Sequence, residues 1–280
     1  MKKTLITLVT APSLLCAAPL LEGYWESWNT QDSIETIVGM HSDVIDISFG
    51  TFEKSGEGFV VTGVQASDSD IDKLVNAAHS CGKQVKLSIG GATYPLSSFL
   101  KTSEDAKEMA LAVYNYITQF DLDGVDYDIE DYPSASLQVE LLANSRALLG
   151  DKVITYTPKA PASTTLPYSE VIQNGHHYLN SVNIMAYDTY PGYSYKSDAE
   201  GLMQMGVPAE KIEIGLMPGL DDVGAMTDLQ DCADAADYVV ENGLAGVMVW
   251  DLNRDHEDLT GLGVDAATDT IWHTLHDERA

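Results

Sequence analysis

The sequence is poor in basic residues and rich in acidic ones. Only 15 lysines and arginines stand against 43 aspartates and glutamates, which gives a formal net charge of −28. Nucleic acids and anionic membrane surfaces repel such a chain, so we expect neither as a partner. Most of the acidic excess is expected to solvate the surface, and an acidic patch for a cationic substrate is the alternative.

Cysteine is also scarce, and the histidines show no metal-ligand spacing. The chain has Cys16, Cys81 and Cys232, and the order of elements described below places the last two on opposite sides of a barrel. We therefore expect two free, buried thiols. His176 and His177 are adjacent, which is typical of surface residues, and we expect no metal and no cofactor.

The chain has no apolar run of about 20 residues, the length that a membrane-spanning helix needs. Its N-terminus has Lys2 and Lys3, then a short apolar run, then the small residues Ala17 and Ala18. This order predicts a secretory signal peptide over residues 1–18, with an N-terminal arm as the alternative. The mature protein, residues 19–280, is then expected to be secreted, extracellular, free of the membrane and monomeric.

Short β-rich runs alternate with helical patterns along the whole chain, and no linker divides them. Eight strands are predicted, at residues 21–25, 44–49, 84–89, 124–129, 153–157, 181–186, 212–216 and 246–250. Six helices are predicted between them, at residues 69–80, 103–120, 136–149, 169–178, 199–205 and 228–242. This alternation predicts a single-domain α/β fold, the (β/α)8 TIM barrel, with its chemistry at the carboxyl ends of the strands. A doubly wound nucleotide-binding sheet is disfavoured because no glycine-rich phosphate loop follows the first strand.

The fourth predicted strand lies in the segment FDLDGVDYDIEDY, residues 120–132, which contains six acidic residues. Side chains alternate along a strand, so Asp126, Asp128 and Glu130 share one face. Their apolar neighbours should face the helices, which turns the carboxyl groups into the barrel. Burial and mutual repulsion raise the pKa of such groups, and Glu130, nearest the mouth, is the natural general acid. A calcium loop or a solvated acidic edge strand would be the alternatives.

The segment 123–130, DGVDYDIE, resembles the DGxDxDxE signature of family 18 glycoside hydrolases, which include chitinases and endo-β-N-acetylglucosaminidases. Further matches lie at the ends of strands three, six and eight, in Ser88-Ile-Gly90-Gly91, Met185-Ala-Tyr187-Asp188 and Trp250. The resemblance runs from about residue 21 to the C-terminus. About thirty residues separate the last two strands, too few for the α+β insertion domain found in many chitinases.

The resemblance implies a division of roles among the strand-end residues. Glu130 would be the acid and base, Asp128 would orient the substrate's acetamido group, Asp126 would share a proton behind it, and Tyr187 would bind the acetamido oxygen. Asp188 would help to place the sugar, and strand parity turns Met185 and Trp250 inward. The candidate substrate-binding residues are Tyr24, Trp25, Gly91, Met185, Asp188 and Trp250.

The resemblance further implies hydrolysis of β-1,4-linked N-acetylglucosamine polymers with retention, in which the substrate's own acetamido group acts as nucleophile. The expected partners are chitin or chitooligosaccharides, bound in an open cleft and cut internally. An endo-β-N-acetylglucosaminidase acting on N-glycans and a chitin-binding lectin without activity are the alternatives. A lectin of this kind typically lacks the acid, whereas this chain keeps Glu130.

Overall fold

A computed structural model describes residues 18–56 and 58–276 of the chain. The predicted signal peptide, except for its last residue, lies outside the described residues. In the part that is described, no helix is both long enough and apolar enough to cross a membrane.

Within the described residues, eight parallel strands close into a barrel. Each strand pairs with the next along the chain, apart from short insertions, and the last strand pairs with the first. The barrel strands are β1 (Leu20–Glu26), β2 (Val44–Ser55), β4 (Gln84–Gly90), β5 (Gly124–Ile129), β6 (Val153–Pro158), β7 (Ser181–Met185), β8 (Ile212–Leu216) and β11 (Gly246–Val249). The insertions are β3 (Gly58–Thr62), antiparallel to the end of β2, and the small hairpin β9 (Gly219–Leu220) and β10 (Met226–Thr227). This architecture confirms the predicted (β/α)8 barrel.

Helices surround the barrel on its outer side. They are α1 (Ile34–Gly39), α2 (Asp68–Ser80), α3 (Ser103–Gln119), α4 (Ala135–Leu149), α5 (Tyr168–Gly175), α6 (Tyr195–Gln204), α7 (Leu229–Asn242), α8 (Leu252–His256) and α9 (Ala266–His276). Local sequence explains the sharp starts of α3 and α7. Thr102 and Asp228 each accept a hydrogen bond from the third helical residue, whose own side chain bonds back to the cap.

Strand parity sorts the side chains as predicted. On β5, Val125, Tyr127 and Ile129 pack into the apolar core between the strands and the helices. The alternate residues Asp126 and Asp128 point into the barrel and are buried. The apolar side chains of β5 therefore anchor the strand against the helices. Its acidic side chains face the barrel interior, where they are available for chemistry.

The base of the barrel interior is polar rather than apolar. Lys86 of β4 is fully buried, and its Nζ lies 2.7 Å from Glu22 Oε2 and 3.5 Å from Asp46 Oδ1. Glu213 of β8 is buried beside this pair. Burial, reinforced by the charge of Glu22, raises the pKa of Glu213 to about 8.

Glycine at position 90 allows β4 and β5 to approach at the mouth of the barrel. Gly90 has φ +120°, and a Cβ there would overlap the carbonyl oxygen of Asp128. That carbonyl accepts a hydrogen bond of 3.0 Å from the backbone N–H of Gly91. The contact fixes the position of Asp128 relative to the end of β4.

The two cysteines among the described residues are both free. Cys232 on α7 is buried, as expected. Cys81 is exposed, which corrects the expectation that both thiols are buried, because it lies at the carboxyl end of α2 rather than on its packed face.

Replacement of Glu213 by glutamine should stabilise the protein at high pH. The folded state keeps a proton on Glu213 up to about pH 8, whereas the unfolded chain releases it at about pH 4.3. Native stability therefore falls as the pH rises through this window, and the loss is complete above it. A glutamine has no such proton to lose. We expect Glu213→Gln to match the wild type at pH 4 and to exceed it at pH 9 by up to about 5 kcal/mol, which corresponds to roughly 10 °C in Tm.

Thermal unfolding at the two pH values measures this difference. Glu53→Gln is the matched control, because it removes the same formal charge at an exposed position. If both variants gain equally at pH 9, net charge rather than the buried carboxyl is responsible, and the prediction is wrong.

Alanine at position 90 should destabilise the barrel strongly. It introduces both an unfavourable φ and an overlap with backbone that cannot move away, so we expect a loss of at least about 3 kcal/mol in unfolding free energy. Gly82→Ala is the control, because Gly82 has φ +77° but no atom within 4 Å of the position that a Cβ would take. That variant should lose only about 1–2 kcal/mol from backbone strain. Denaturant midpoints compare the two, and equal losses would contradict the steric argument.

Candidate active site

A cleft of about 540 Å³ opens at the carboxyl ends of the barrel strands. Its walls combine acidic, aromatic and a few basic side chains. They include Glu26, Trp28, Phe49, Tyr94, Asp128, Glu130, Lys159, Met185, Tyr187, Asp188, Met217, Asp222, Trp250 and Arg254. A concave site of this size with convergent polar groups is typical of a small-ligand or polymer-segment site.

The acidic residues of β5 form a ladder from the interior to the cleft. Asp126 is fully buried, Asp128 is 3% exposed and the side chain of Glu130 is 16% exposed. Asp128 and Glu130 line the cleft, whereas Asp126 lies behind them. Three similar side chains thus occupy three different environments.

Asp126 accepts hydrogen bonds from four hydroxyl groups. Its Oδ2 accepts from Tyr24 at 2.8 Å and from Ser88 at 2.7 Å. Its Oδ1 accepts from Thr155 and Thr157, both at 2.7 Å. Two oxygens of a carboxylate offer about four lone-pair positions, so the acceptor capacity of Asp126 is filled.

Asp128 has a much poorer set of partners. Its Oδ1 is buried without a hydrogen-bond partner in the described structure. Burial, and then the charges of Glu130 and Asp126, raise the pKa of Asp128 well above its usual range. Both effects favour the neutral form of Asp128, which lies next to Asp126, whose two oxygens already accept four hydrogen bonds.

Glu130 faces the cleft and forms an ion pair. Its Oε2 lies 2.8 Å from Nζ of Lys159, the first residue after β6. Burial works against the charge on Lys159, but Glu130, followed by Asp188, holds the pKa of Lys159 above its usual value. The lysine side chain is 44% exposed, so it has room to move away from Glu130.

Aromatic rings build the opposite wall of the cleft. Trp250 follows β11, and its ring centroid lies 5.3 Å from that of Phe49 and 5.5 Å from that of Tyr24. Trp28 extends the group, stacked on Phe49 at 6.2 Å. Trp28, Phe49 and Trp250 all line the cleft, so the group forms a supported aromatic surface there.

Two residues after β7 complete the site. Tyr187 lines the cleft together with Met185. Burial, and then the nearby charge of Asp128, raise the pKa of the Tyr187 hydroxyl well above its usual range. This hydroxyl group is therefore a donor in hydrogen bonds. Asp188 has φ +51°, and its Oδ1 accepts a hydrogen bond of 2.7 Å from the backbone of Asp222. Burial raises the pKa of Asp188.

The structure brings most of the predicted site residues to the cleft, with three differences. Tyr24 is fully buried and donates a hydrogen bond to Asp126 instead of lining the cleft. Gly91 lies beneath the ring of Phe49, where a Cβ would clash. Trp25 packs into the core outside the barrel, which corrects its assignment to substrate binding. The reason is parity: Tyr24 and Trp25 are neighbours on one strand, so only one of them can face inward.

Sequence reasoning missed several residues of the cleft. Phe49 and Glu26 follow the strand-end rule and could have been found from it. Asp222 and Arg254 lie in loops and in α8, and no periodic signal marks them. Among residues 18–56 and 58–276, no group of three or more His, Cys, Asp or Glu is placed to hold a metal ion. The absence of a metal and of a cofactor stays a prediction.

Comparison with known proteins agrees with this architecture. Endochitinase 4 from Metarhizium robertsii is 26% identical over 179 residues, which cover 57% of this chain and 50% of that protein. The chain thus spans about half the length of the curated relatives it matches.

Solved structures show the same fold at low sequence identity. A family 18 chitinase from Pseudoalteromonas aurantia has a TM-score of 0.76 at 19% identity, covering 91% of this chain and 100% of that one. A chitinase from Rhizomucor miehei has a TM-score of 0.70 at 23% identity, covering 89% and 99%. The model of the family "Glycosyl hydrolases family 18" matches residues 21–217, which is most of the chain and includes the acidic ladder. The chain belongs to glycosyl hydrolases family 18.

Proposed function

We propose that the protein is a chitinase, which hydrolyses β-1,4-linked N-acetylglucosamine polymers with retention of configuration. The observation that carries the proposal is the graded ladder on β5. A carboxyl group at the cleft, Glu130, is followed inward by Asp128, whose pKa burial raises, and then by the fully hydrogen-bonded Asp126.

The nucleophile in this proposal is the substrate's own acetamido oxygen. A two-carboxylate mechanism would need a second free carboxylate facing Glu130. Asp188, which follows β7, is the candidate, but one of its oxygens is held by the backbone of Asp222, and burial favours its neutral form. The described residues therefore favour substrate assistance over a protein nucleophile.

The reaction has two balanced steps. In the first, Glu130 gives its proton to the glycosidic oxygen as the acetamido carbonyl oxygen attacks the anomeric carbon, which breaks the glycosidic bond and forms an oxazolinium ion. In the second, the Glu130 carboxylate takes a proton from water, whose oxygen attacks the same carbon and opens the ring. Two inversions at one carbon give net retention.

The other cleft residues would orient this substrate. Asp128 would accept a hydrogen bond from the acetamido N–H. The Tyr187 hydroxyl would donate a hydrogen bond to the acetamido oxygen, whose partial negative charge decreases as it attacks the anomeric carbon. The aromatic wall at Trp250 offers a flat apolar face to a sugar ring. Before the leaving-group oxygen can reach Glu130, Lys159 must move away from that side chain, and Glu130 must take up a proton from solvent.

Internal cleavage of the polymer fits the shape of the site. Between β8 and β11 the chain forms only the short hairpin β9–β10 and α7, so no inserted domain walls the cleft. A long glycan can then pass across the mouth of the barrel. The names of the relatives, both endochitinases, support the same mode of action.

Two alternatives share this site and are separated by experiment. An endo-β-N-acetylglucosaminidase would release the glycan from a high-mannose glycoprotein, which a chitinase leaves intact. A lectin would bind chitotetraose without cutting it, a role that the position of Glu130 disfavours. The proposal also includes secretion and a monomeric state, which the N-terminal sequence pattern and the closed barrel support.

Glu130→Gln should abolish hydrolysis while binding persists. Glutamine keeps the size of the side chain but cannot transfer the proton, so we expect the rate of chitotetraose cleavage to fall by about 10³-fold or more. Chromatography of the products and calorimetric titration of the same oligomer measure the two properties. Glu53→Gln, an exposed exchange outside the cleft, should cleave at the wild-type rate. Unchanged cleavage by Glu130→Gln would exclude it as the acid.

The acetamido group of the substrate should be indispensable. Cellotetraose has the same linkage but a hydroxyl in place of the acetamido group, so it has no internal nucleophile and should not be cleaved at any enzyme concentration that cleaves chitotetraose. Early products of chitotetraose should carry the β configuration in proton NMR. Cleavage of cellotetraose, or initial α products, would overturn the proposed mechanism.

A further inference from the structure

A buried cation lies beneath the acidic ladder, and the reaction steps above do not use it. Lys86 is fully buried and donates a hydrogen bond of 2.7 Å to Glu22 Oε2. The other oxygen of Glu22 accepts a bond of 2.7 Å from the Asn183 amide. A charged pair inside a barrel is costly compared with the branched apolar residues that usually fill this space. A function for the ammonium group would explain why it is there.

A single hydroxyl connects Lys86 to the ladder. Nζ of Lys86 lies 2.9 Å from Oγ1 of Thr155, and the same Oγ1 lies 2.7 Å from Oδ1 of Asp126. An ammonium group has donors only, so Thr155 must accept from Lys86. Its one proton is then left for Asp126. The direction of the whole chain, from Lys86 through Thr155 to Asp126, is therefore fixed.

The other three donors to Asp126 are not fixed in this way. The hydroxyls of Tyr24, Ser88 and Thr157 can rotate. Each could accept a hydrogen bond from a neutral Asp126 or donate one to a charged Asp126. Only the Thr155 contact requires Asp126 Oδ1 to be an acceptor. Lys86 thus fixes the direction of one hydrogen bond at Asp126 and brings a positive charge near it that favours its carboxylate form.

The remaining titratable groups near Lys86 leave its charge directed at Glu22 and Asp126. Burial raises the pKa of Asp46 well above its usual range and that of Glu213 to about 8, which favours the neutral form of both carboxyls. Burial works against the charge on Lys86, but Asp46, Glu22 and Asp126 together keep its pKa above the usual value. The ammonium group is permanently charged.

We infer that Lys86 is a positioning residue for hydrolysis: acting through Thr155, it favours the charged, accepting form of Asp126 and thereby favours a proton on Asp128 rather than on Asp126. Asp128 is the nearer of the two to the cleft, which it lines beside Glu130. The inference rests on the proposed function for its effect on rate, but the location of the proton can be tested without any substrate.

The first test replaces only the connecting hydroxyl. Thr155→Val keeps the shape of the side chain and the Lys86–Glu22 pair, whereas Thr155→Ser keeps the hydroxyl. For chitotetraose we expect Thr155→Val to lower kcat at least tenfold with KM within twofold of the wild type. The acid limb of its pH profile should move up by roughly half to one pH unit, because a carboxylate that loses a donor is protonated more readily. Thr155→Ser should follow the wild-type profile.

A purely structural role predicts a different result. Thr155→Val would then lower Tm while its pH profile superimposed on that of the wild type, and this outcome would overturn the inference. So would equal effects of valine and serine. Lys86→Met alone would leave Glu22 unpaired and could fail to fold, so the double variant Glu22→Gln/Lys86→Met, which removes both charges, replaces it. It should shift the acid limb as Thr155→Val does, and an unshifted profile contradicts the inference.

The second test locates the proton directly. Carbon-13 NMR of protein labelled at the aspartate carboxyl carbon, with Asp126→Asn and Asp128→Asn for assignment, should show a charged Asp126 and a neutral Asp128 at pH 6. In Thr155→Val the difference should shrink. A neutral Asp126 in the wild type would overturn the inference, whether or not the protein cleaves chitotetraose. Failure of the wild type to cleave would refute the proposed function alone.

Discussion

The hydrogen bonds to the buried carboxylate of Asp126 constrain the interior of the barrel more than any other interaction. Its four donors come from three strands, with Tyr24 on β1, Ser88 on β4, and Thr155 and Thr157 on β6. A slip of one residue in any of these strands would turn its donors to the outer face and leave the buried carboxyl group of Asp126 only partly hydrogen-bonded. Barrel register and site geometry are therefore maintained by the same contacts.

This constraint also separates the roles of three chemically similar side chains. Asp126 has its acceptor capacity filled, Asp128 has an unpaired buried oxygen and a raised pKa, and Glu130 reaches the cleft. The difference lies in the surroundings that each position along β5 provides. A strand supplies such a series naturally, because every second residue lies about 6.6 Å further toward the mouth, at a rise of roughly 3.3 Å per residue. Residues deeper in the barrel are therefore more buried than those near its mouth.

Much of the fold was predictable because its strands have a simple period. Alternation identified the eight barrel strands and the inward face of β5, and the strand-end rule located the cleft. The same alternation would have excluded Trp25 from the cleft and placed Lys86 in the interior beside Ser88, had it been applied to β1 and β4 as strictly as to β5. The cause of these omissions was incomplete use of a signal that the sequence contains.

Other features had no signal of this kind. β3 and the short helices α1 and α8 belong to connections whose course depends on packing against the completed barrel. The approach of Asp222 to Asp188 depends on the paths of two separate loops. The buried Lys86–Glu22 pair joins residues 64 apart in the chain, and only the closed barrel brings them together. Periodicity predicts which face a residue occupies, but not which residue on another strand it will meet.

The ion pair between Lys159 and Glu130 holds the side chain of the acid in place when no substrate is bound. The lysine follows β6 with the same parity as Thr155 and Thr157, so it reaches the cleft directly above the donors to Asp126. The ammonium group of Lys159 keeps contact with solvent, so displacing it costs a substrate less than separating a fully buried ion pair would. Asp188 also lies near Lys159 and offers it a second carboxyl partner once Glu130 is engaged. Lys159 can therefore hold the acid in place between turnovers without competing strongly with the leaving-group oxygen.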